Sequence, residues 1–117
     1  ALLKDRPITG AGIASYEERI VPYRGDHWIE VFHHPHNIFL TIWVNTGLLG
    51  LLGFITILVW FFITTLKNNS QTKFVLASMS TIIVMGLVDS PYIKNDLAIL
   101  FWLLPTLILA QTSTEKK

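Results

Sequence analysis

The most pronounced feature of the chain is a long apolar run that covers residues 38–66 without a single charged side chain. A helix needs roughly 20 apolar residues to cross a bilayer, and this run is longer than that. Two shorter apolar runs follow at about 74–88 and 97–112, the second interrupted by Pro105. None of the three shows the polar face of a soluble surface helix. The pattern predicts an all-α, polytopic membrane protein fragment with about three transmembrane helices, and disfavours a soluble helical bundle.

Three glycines recur every third residue within the long run: Gly47, Gly50 and Gly53. Small residues at this spacing let another membrane helix approach closely, so we expect a neighbouring helix there. We expect residues 38–45 to form a tilted or interfacial helix that carries Trp43, with the span proper at about 47–66. The amide of Asn45 lies within this run and must find a hydrogen-bonding partner or water.

Residues 1–37 differ from the rest because they are mixed in polarity and punctuated by prolines and glycines. We expect an external loop region there, with a short helix near 14–20, followed by a transmembrane helical region at 38–117. The chain begins at Ala1 and shows no signal-peptide pattern. We therefore interpret it as an internal or C-terminal piece of a longer membrane protein, whose other segments are its folding partners.

Composition agrees with a membrane protein and excludes several other classes. Hydrophobic residues make up 51% of the chain and charged residues only 15%, against about 25% charged residues in a typical soluble domain. The net charge of +1 and the lack of a basic stripe argue against nucleic acid as a partner. Cysteine is absent, which excludes disulfides and thiolate metal sites.

The lysines predict the orientation in the membrane. Lys67 and Lys73 flank a short polar loop, and two further lysines end the chain. Basic residues near short loops favour the cytoplasmic side. With three crossings, residues 67–73 and the C-terminus are expected to be cytoplasmic, while 1–37 and 89–96 are expected to be external.

A histidine cluster immediately precedes the long apolar run: His33, His34 and His36. A titratable group at a membrane boundary is a functional-site hypothesis by default. His34 and His36 could bind a metal together, but no carboxylate or Cys stands at a convincing ligand spacing. Alternatively His36 acts as a base or hydrogen-bond donor, with Pro35 fixing its backbone and Asn37 capping the following helix. We favour the second interpretation, with no metal and no cofactor.

The motif around His36 resembles the C-terminal signature of the O-antigen ligase and O-antigen polymerase family. The resemblance lies in the run from His34 to Leu40, in Trp43, and in the Gly-Leu-Leu-Gly sequence at 47–50. Upstream, residues 6–12 resemble the glycine turn of the family, with Gly10 and Gly12 as structural residues. Downstream, residues 89–96 resemble the tail of many members.

This resemblance implies a bacterial inner-membrane glycosyltransferase with a periplasmic loop. Such enzymes take a glycan from undecaprenyl pyrophosphate and pass it to a sugar hydroxyl of the lipid A core or of a growing polysaccharide. The essential histidine of the family corresponds to His36. Periplasmic arginines bind the pyrophosphate, and Arg24 or Arg19 is the candidate here, with Lys94 and His34 as further substrate-binding candidates. A family arginine upstream of the glycine turn falls outside the chain, so the chain alone is expected to be inactive.

The residue chemistry suits this reaction. A hydroxyl that attacks an anomeric carbon needs a proton acceptor, and a departing pyrophosphate needs positive charge. The guanidinium of Arg offers a planar fork that matches phosphate oxygens. Two alternatives stay open: a non-catalytic membrane module such as a transporter fragment, and a membrane protein that handles metals through its histidines.

Overall fold

A computed structural model describes residues 2–23, 25, 35–67, 72–89 and 95–114. Within these ranges the chain is helical and contains no strand, which confirms the all-α prediction. The elements in chain order are α1 (Leu2–Asp5), α2 (Tyr16–Ile20), a 3-10 turn (Val21–Tyr23), α3 (Ile38–Lys67), α4 (Lys73–Gly86) and α5 (Asn95–Thr114).

Among the described helices, α3 alone is both long and apolar enough to cross a membrane. Helix α4 has 14 residues, and the apolar part of α5 covers Ala98–Gln111. At 1.5 Å per residue, α4 is about 21 Å long, less than the roughly 30 Å of a bilayer core. By length and composition, one described helix therefore qualifies as a membrane span, and the prediction of three spans is not confirmed.

Helices α3, α4 and α5 share one hydrophobic core. Its buried members are Ile38, Phe54, Leu58, Phe61, Met79, Phe101 and Ile108. The ring of Phe54 stacks on Phe101 at a centroid distance of 5.6 Å and meets the edge of Phe39 at 5.8 Å. The opposite face of α3 is equally apolar but exposed, as Leu52, Val59 and Ile63 illustrate. A helix that is apolar on all sides is typical of a membrane environment.

The helical hydrogen bonding of α3 is interrupted at Gly47, whose φ of 73° and ψ of −172° are not helical. In an unbroken helix the amide of Leu48 would donate to the carbonyl oxygen of Val44. Here the Leu48 amide donates to the carbonyl oxygen of Ile8 at 2.9 Å, and the Val44 oxygen accepts from the amide of Ala11 at 2.7 Å. The N-terminal segment thus enters the break and satisfies both freed groups.

The break also bends α3. The hydroxyl of Thr72, at the start of α4, donates to the carbonyl oxygen of Thr65 at 3.2 Å, and Asn37 donates to that of Leu87 at 3.1 Å. These two contacts are about 20 Å apart along α4, whereas residues 37 and 65 would be about 40 Å apart along a straight helix. The first part of α3 must therefore bend at Gly47, the residue at which we expected the membrane span to begin.

Candidate functional site

The N-terminal segment and the break in α3 meet in a close contact, which we call the glycine junction (residues 7–12 with 43–48). The indole nitrogen of Trp43 donates to the carbonyl oxygen of Pro7 at 2.6 Å. Gly10 is buried with a φ of 66°, and a Cβ there would overlap the carbonyl oxygens of Trp43 and Val44. A Cβ at Gly47 would overlap the carbonyl oxygen of Ile8. Two glycines from distant parts of the sequence thus allow two backbones to touch.

Asn45 holds the next part of the N-terminal segment. Its side-chain oxygen accepts from the amide of Ala14 at 2.9 Å, and its side-chain nitrogen donates to the carbonyl oxygen of Thr41 at 2.8 Å. Ala14 has a φ of 56°, which is unusual for a residue other than glycine. Gly12, with a φ of 96°, also belongs to this turn. The polar group in the apolar run therefore has its partners within the protein.

At the other end of the bent segment, Asn37 caps α3. Its side-chain oxygen accepts from the amides of Phe39 and Leu40 at 3.0 and 3.1 Å. These amides belong to the first helical turn, which has no intrahelical partners for them. The hydroxyl of Thr41 lies 2.7 Å from the carbonyl oxygen of Pro35. The residues on both sides of His36 are therefore fixed to the start of α3.

His36 lies directly before this cap and pairs with a carboxylate from another helix end. Its Nδ1 is 3.0 Å from Oδ1 of Asp89, which follows α4. Both side chains are about half exposed, at 47% and 51%. When the carboxylate accepts a proton from Nδ1, the neutral imidazole carries its lone pair on Nε2. The pair, which we call the His–Asp pair, combines an oriented base with access from solvent.

Asp89 was not among the site residues that the sequence predicted. The sequence did place the segments containing His36 and Asp89 on the same side of the membrane, and an acidic residue at the end of a span was the available signal. Its contact with His36 depends on antiparallel packing of α3 and α4 and on the bend at Gly47, neither of which is readable from residue spacing.

The predicted substrate-binding residues have no described contact with the His–Asp pair. Arg24, His34 and Lys94 lie outside the described residues. Arg19 is exposed on α2, and its backbone amide donates to the carbonyl oxygen of Ser15 at 3.0 Å.

The glycines expected to receive a neighbouring helix behave differently from one another. A Cβ at Gly50 would overlap Thr46 of the same helix, and one at Gly53 would have no described atom within 4 Å. Gly47 faces the backbone of a turn. A helix against Gly50 and Gly53 stays a prediction for the intact protein.

A second side-chain pair ties the N-terminal region to itself. The hydroxyl of Tyr23 donates to Oδ2 of Asp5 at 2.5 Å. This hydrogen bond, burial and the negative charge of Asp5 raise the pKa of Tyr23 above its ordinary value, against the lowering effect of Arg6. The contact joins the end of α1 to the 3-10 turn.

No group of three or more His, Asp or Glu side chains in the described ranges could hold a metal ion. His33 and His34, which the metal hypothesis needs, lie outside those ranges. In the described residues the partner of His36 is the carboxylate of Asp89. Metal binding by the histidines is tested by the chelator experiment below.

These features define a helical protein with an apolar, interrupted helix that carries a histidine–carboxylate pair at its N-terminal end. Residues 1–55 match the family model described as O-antigen ligase, and this range contains the glycine junction and His36. The chain belongs to the O-antigen ligase family, a family of membrane proteins.

Two curated relatives agree with this assignment. A protein of Rickettsia felis named "Putative polysaccharide ligase" is 30% identical over 93 residues, which cover 72% of this chain and 23% of the relative. A protein of the same description from Rickettsia conorii is 28% identical over 94 residues, covering 73% of the chain and 23% of the relative. The chain thus spans about a quarter of the length of these relatives. No solved structure matches it.

Proposed function

We propose that the protein containing this chain is a polysaccharide ligase of the bacterial inner membrane. It moves a glycan from undecaprenyl pyrophosphate to a sugar hydroxyl of the lipid A core or of a growing polysaccharide. Membership of the O-antigen ligase family, the names of the two Rickettsia relatives and the apolar helix α3 support this proposal.

The observation that carries the proposal is the His–Asp pair. With Asp89 bound at Nδ1, Nε2 of His36 accepts the proton of the acceptor hydroxyl. The hydroxyl oxygen then forms a bond to the anomeric carbon, while the bond between that carbon and the pyrophosphate oxygen breaks. The pyrophosphate leaves with the electron pair, and Asp89 stabilises the imidazolium that forms.

Positive charge near the leaving pyrophosphate is the second requirement of this reaction. We assign it to Arg24 or Arg19, with Lys94 and His34 as further contacts, together with arginines elsewhere in the intact protein. If Arg24 provides the fork, Arg24→Lys should weaken donor binding although the charge is kept. Transfer that survives Arg24→Ala would assign the role to other arginines.

The proposed topology has three spans, at about 47–66, 74–88 and 97–112. Residues 1–37 and 89–96 are periplasmic, and 67–73 and the C-terminus are cytoplasmic. The contact between His36 and Asp89 supports the placement of residues 1–37 and 89–96 on the same side of the membrane. Cysteines introduced at Asp26 and at Ser70 test this in whole cells with a membrane-impermeant thiol reagent. Labelling is expected at position 26 only, and labelling at position 70 would reverse the orientation.

The decisive experiment is His36→Ala in the intact protein, with His33→Ala as the matched control. A positioned base contributes about 10²–10⁴-fold, so glycan transfer should fall by that factor in His36→Ala at normal membrane insertion. His33→Ala should transfer normally. Near-normal transfer by His36→Ala would favour a non-catalytic membrane module. Reversible loss of transfer on adding a chelator would instead favour a metal bound by the histidines.

A further inference from the structure

The distance between His36 and Asp89 depends on how closely two helix ends approach each other. His36 lies two residues before the first residue of α3, Ile38, and Asp89 lies three residues after the last residue of α4, Gly86. Ile38 is 1% exposed and Gly86 is also buried, so these two residues form the contact beneath the His–Asp pair.

Gly86 is required at this contact for space. A Cβ added at Gly86 would lie 2.9 Å from Cγ2 and 3.2 Å from Cβ of Ile38. Distances below 3.0 Å between such atoms force a neighbour to move, and Cγ2 is a stiff, β-branched methyl group within the core. Gly86 does not have a positive φ, so conformational freedom is not the reason for a glycine here.

A second contact holds the end of α4 close to the start of α3, one residue after Gly86. The side-chain nitrogen of Asn37 donates to the carbonyl oxygen of Leu87 at 3.1 Å, while its oxygen caps α3. One side chain therefore fixes the start of α3 and holds the end of α4. The amide of Asp89 in turn donates to the carbonyl oxygen of Met85 at 3.1 Å, which orders the turn that carries the carboxylate.

From this arrangement we infer that Gly86 is a positioning residue: the absence of a side chain there sets the separation of the His–Asp pair. This inference rests on the proposed function. Any side chain at Gly86 pushes the end of α4 away from Ile38 and moves the carboxylate from the imidazole. A displacement of about 1 Å at a catalytic group can slow a reaction by about 10²-fold.

The first test is Gly86→Ala in the intact protein, with Thr81→Ala as control, because Thr81 is exposed on the same helix and its hydroxyl donates to the carbonyl oxygen of Ala77 one turn earlier. Alanine is a better helix former than glycine, so a role in helix formation alone would leave the variant unharmed. We expect kcat for transfer to fall by about 10- to 100-fold at an unchanged folded yield. Unchanged transfer would overturn the inference.

Two companion variants separate positioning from general damage. In an Asp89→Asn background, Gly86→Ala should cause no further loss, because the pair it positions is already removed. Ile38→Leu lacks the Cγ2 methyl group and should restore much of the activity of Gly86→Ala. Losses that multiply, together with a failure of Ile38→Leu to restore transfer, would contradict the inference.

A readout that does not use transfer keeps the inference distinct from the proposed function. The nitrogen chemical shifts of the His36 ring report its tautomer in labelled protein. Gly86→Ala should move them toward the values of Asp89→Asn, and Thr81→Ala should not. If the shifts move in this way but His36→Ala transfers normally, the proposed function fails and the positioning role of Gly86 stands. If the shifts of Gly86→Ala equal those of the unmodified protein, the positioning role fails.

Discussion

The bent first part of α3 is held at both ends, by two contacts of different chemistry. At Gly47 the glycine junction holds it through backbone groups, with Val44 and Gly10 buried. At Asn37 side chains hold it, and the His–Asp pair beside the cap is about half exposed. The backbone contact of the junction is buried at Gly10, Val44 and Gly47, and the junction carries no titratable group, whereas the exposed end carries two.

One end of this short segment therefore has a structural contact, and the other end has the titratable side chains. A backbone-to-backbone contact needs only the absence of side chains, so glycine is the sole residue that serves at Gly47 and Gly10. A contact for proton transfer needs a titratable group within hydrogen-bond distance, and here the side chains of His36 and Asp89 supply it. The junction fixes the direction of the bent segment relative to the rest of α3. The opposite end of the segment, at Asn37, places His36 beside Asp89.

The largest effect is expected at the glycine junction, from Gly47→Ala. Its φ and ψ lie in a region open essentially to glycine, at a cost of about 1–3 kcal/mol for other residues, and the added Cβ overlaps Ile8. We expect loss of most folded protein, measured by yield in the membrane fraction and by thermal unfolding. Thr56→Ala serves as control, because Thr56 is exposed on α3 and its hydroxyl donates to the carbonyl oxygen of Leu52 in the same helix. A normal yield and midpoint for Gly47→Ala would show that the junction is not required.

The second-largest effect is expected at the Asn37 end of the bent segment, from Asp89→Asn. The substitution keeps the shape of the side chain but removes the charge that orients and stabilises His36. We expect transfer to fall by at least about tenfold, a part of what a positioned base contributes, without a change in thermal midpoint. Kinetics and unfolding are measured on the same preparation. A large drop in midpoint would place Asp89 among the structural residues instead.

A smaller effect is expected from Asn45→Ala, which removes the side chain between the junction and α3. The lost hydrogen bond to the Ala14 amide should cost about 1 kcal/mol of unfolding free energy. Thr46→Ala is the matched control, because among the described residues the Thr46 hydroxyl bonds within its own helix, to the carbonyl oxygen of Ile42. Equal thermal midpoints for the two variants would show that the side chain of Asn45 does not stabilise the junction.

The smallest effect is expected from Tyr23→Phe, because both partners of this hydrogen bond are exposed. The raised pKa of Tyr23 means that its stabilising contribution is fully present below about pH 10, the ordinary tyrosine value, and is lost as pH rises through the raised pKa. The stability difference between the two proteins should therefore be constant from neutral pH to mildly alkaline pH. Unfolding curves across that range, with tyrosinate absorbance, check it. A difference that disappears below pH 9 would contradict the raised pKa.

Local patterns allowed several features to be predicted. The uncharged run at 38–66 indicated α3, and the Asn that follows the histidines indicated the cap, because helix formation and capping depend on residues a few positions apart. The resemblance selected His36 among three neighbouring histidines. The helix α2 was expected from residue 14, but it begins at Tyr16 because Ala14 has a positive φ.

The amino-acid sequence by itself determined that this protein is helical and apolar, that a polar segment precedes its long apolar helix, and that His36 lies directly before the cap of that helix. Only the tertiary structure decided that residues 8 and 11 complete the interrupted hydrogen bonding of α3, and that Asp89 reaches His36. The physical reason is that both contacts join residues far apart in sequence through the packing of whole helices. Periodicity reports which residues share a face, but it contains no information on which helix ends meet in space.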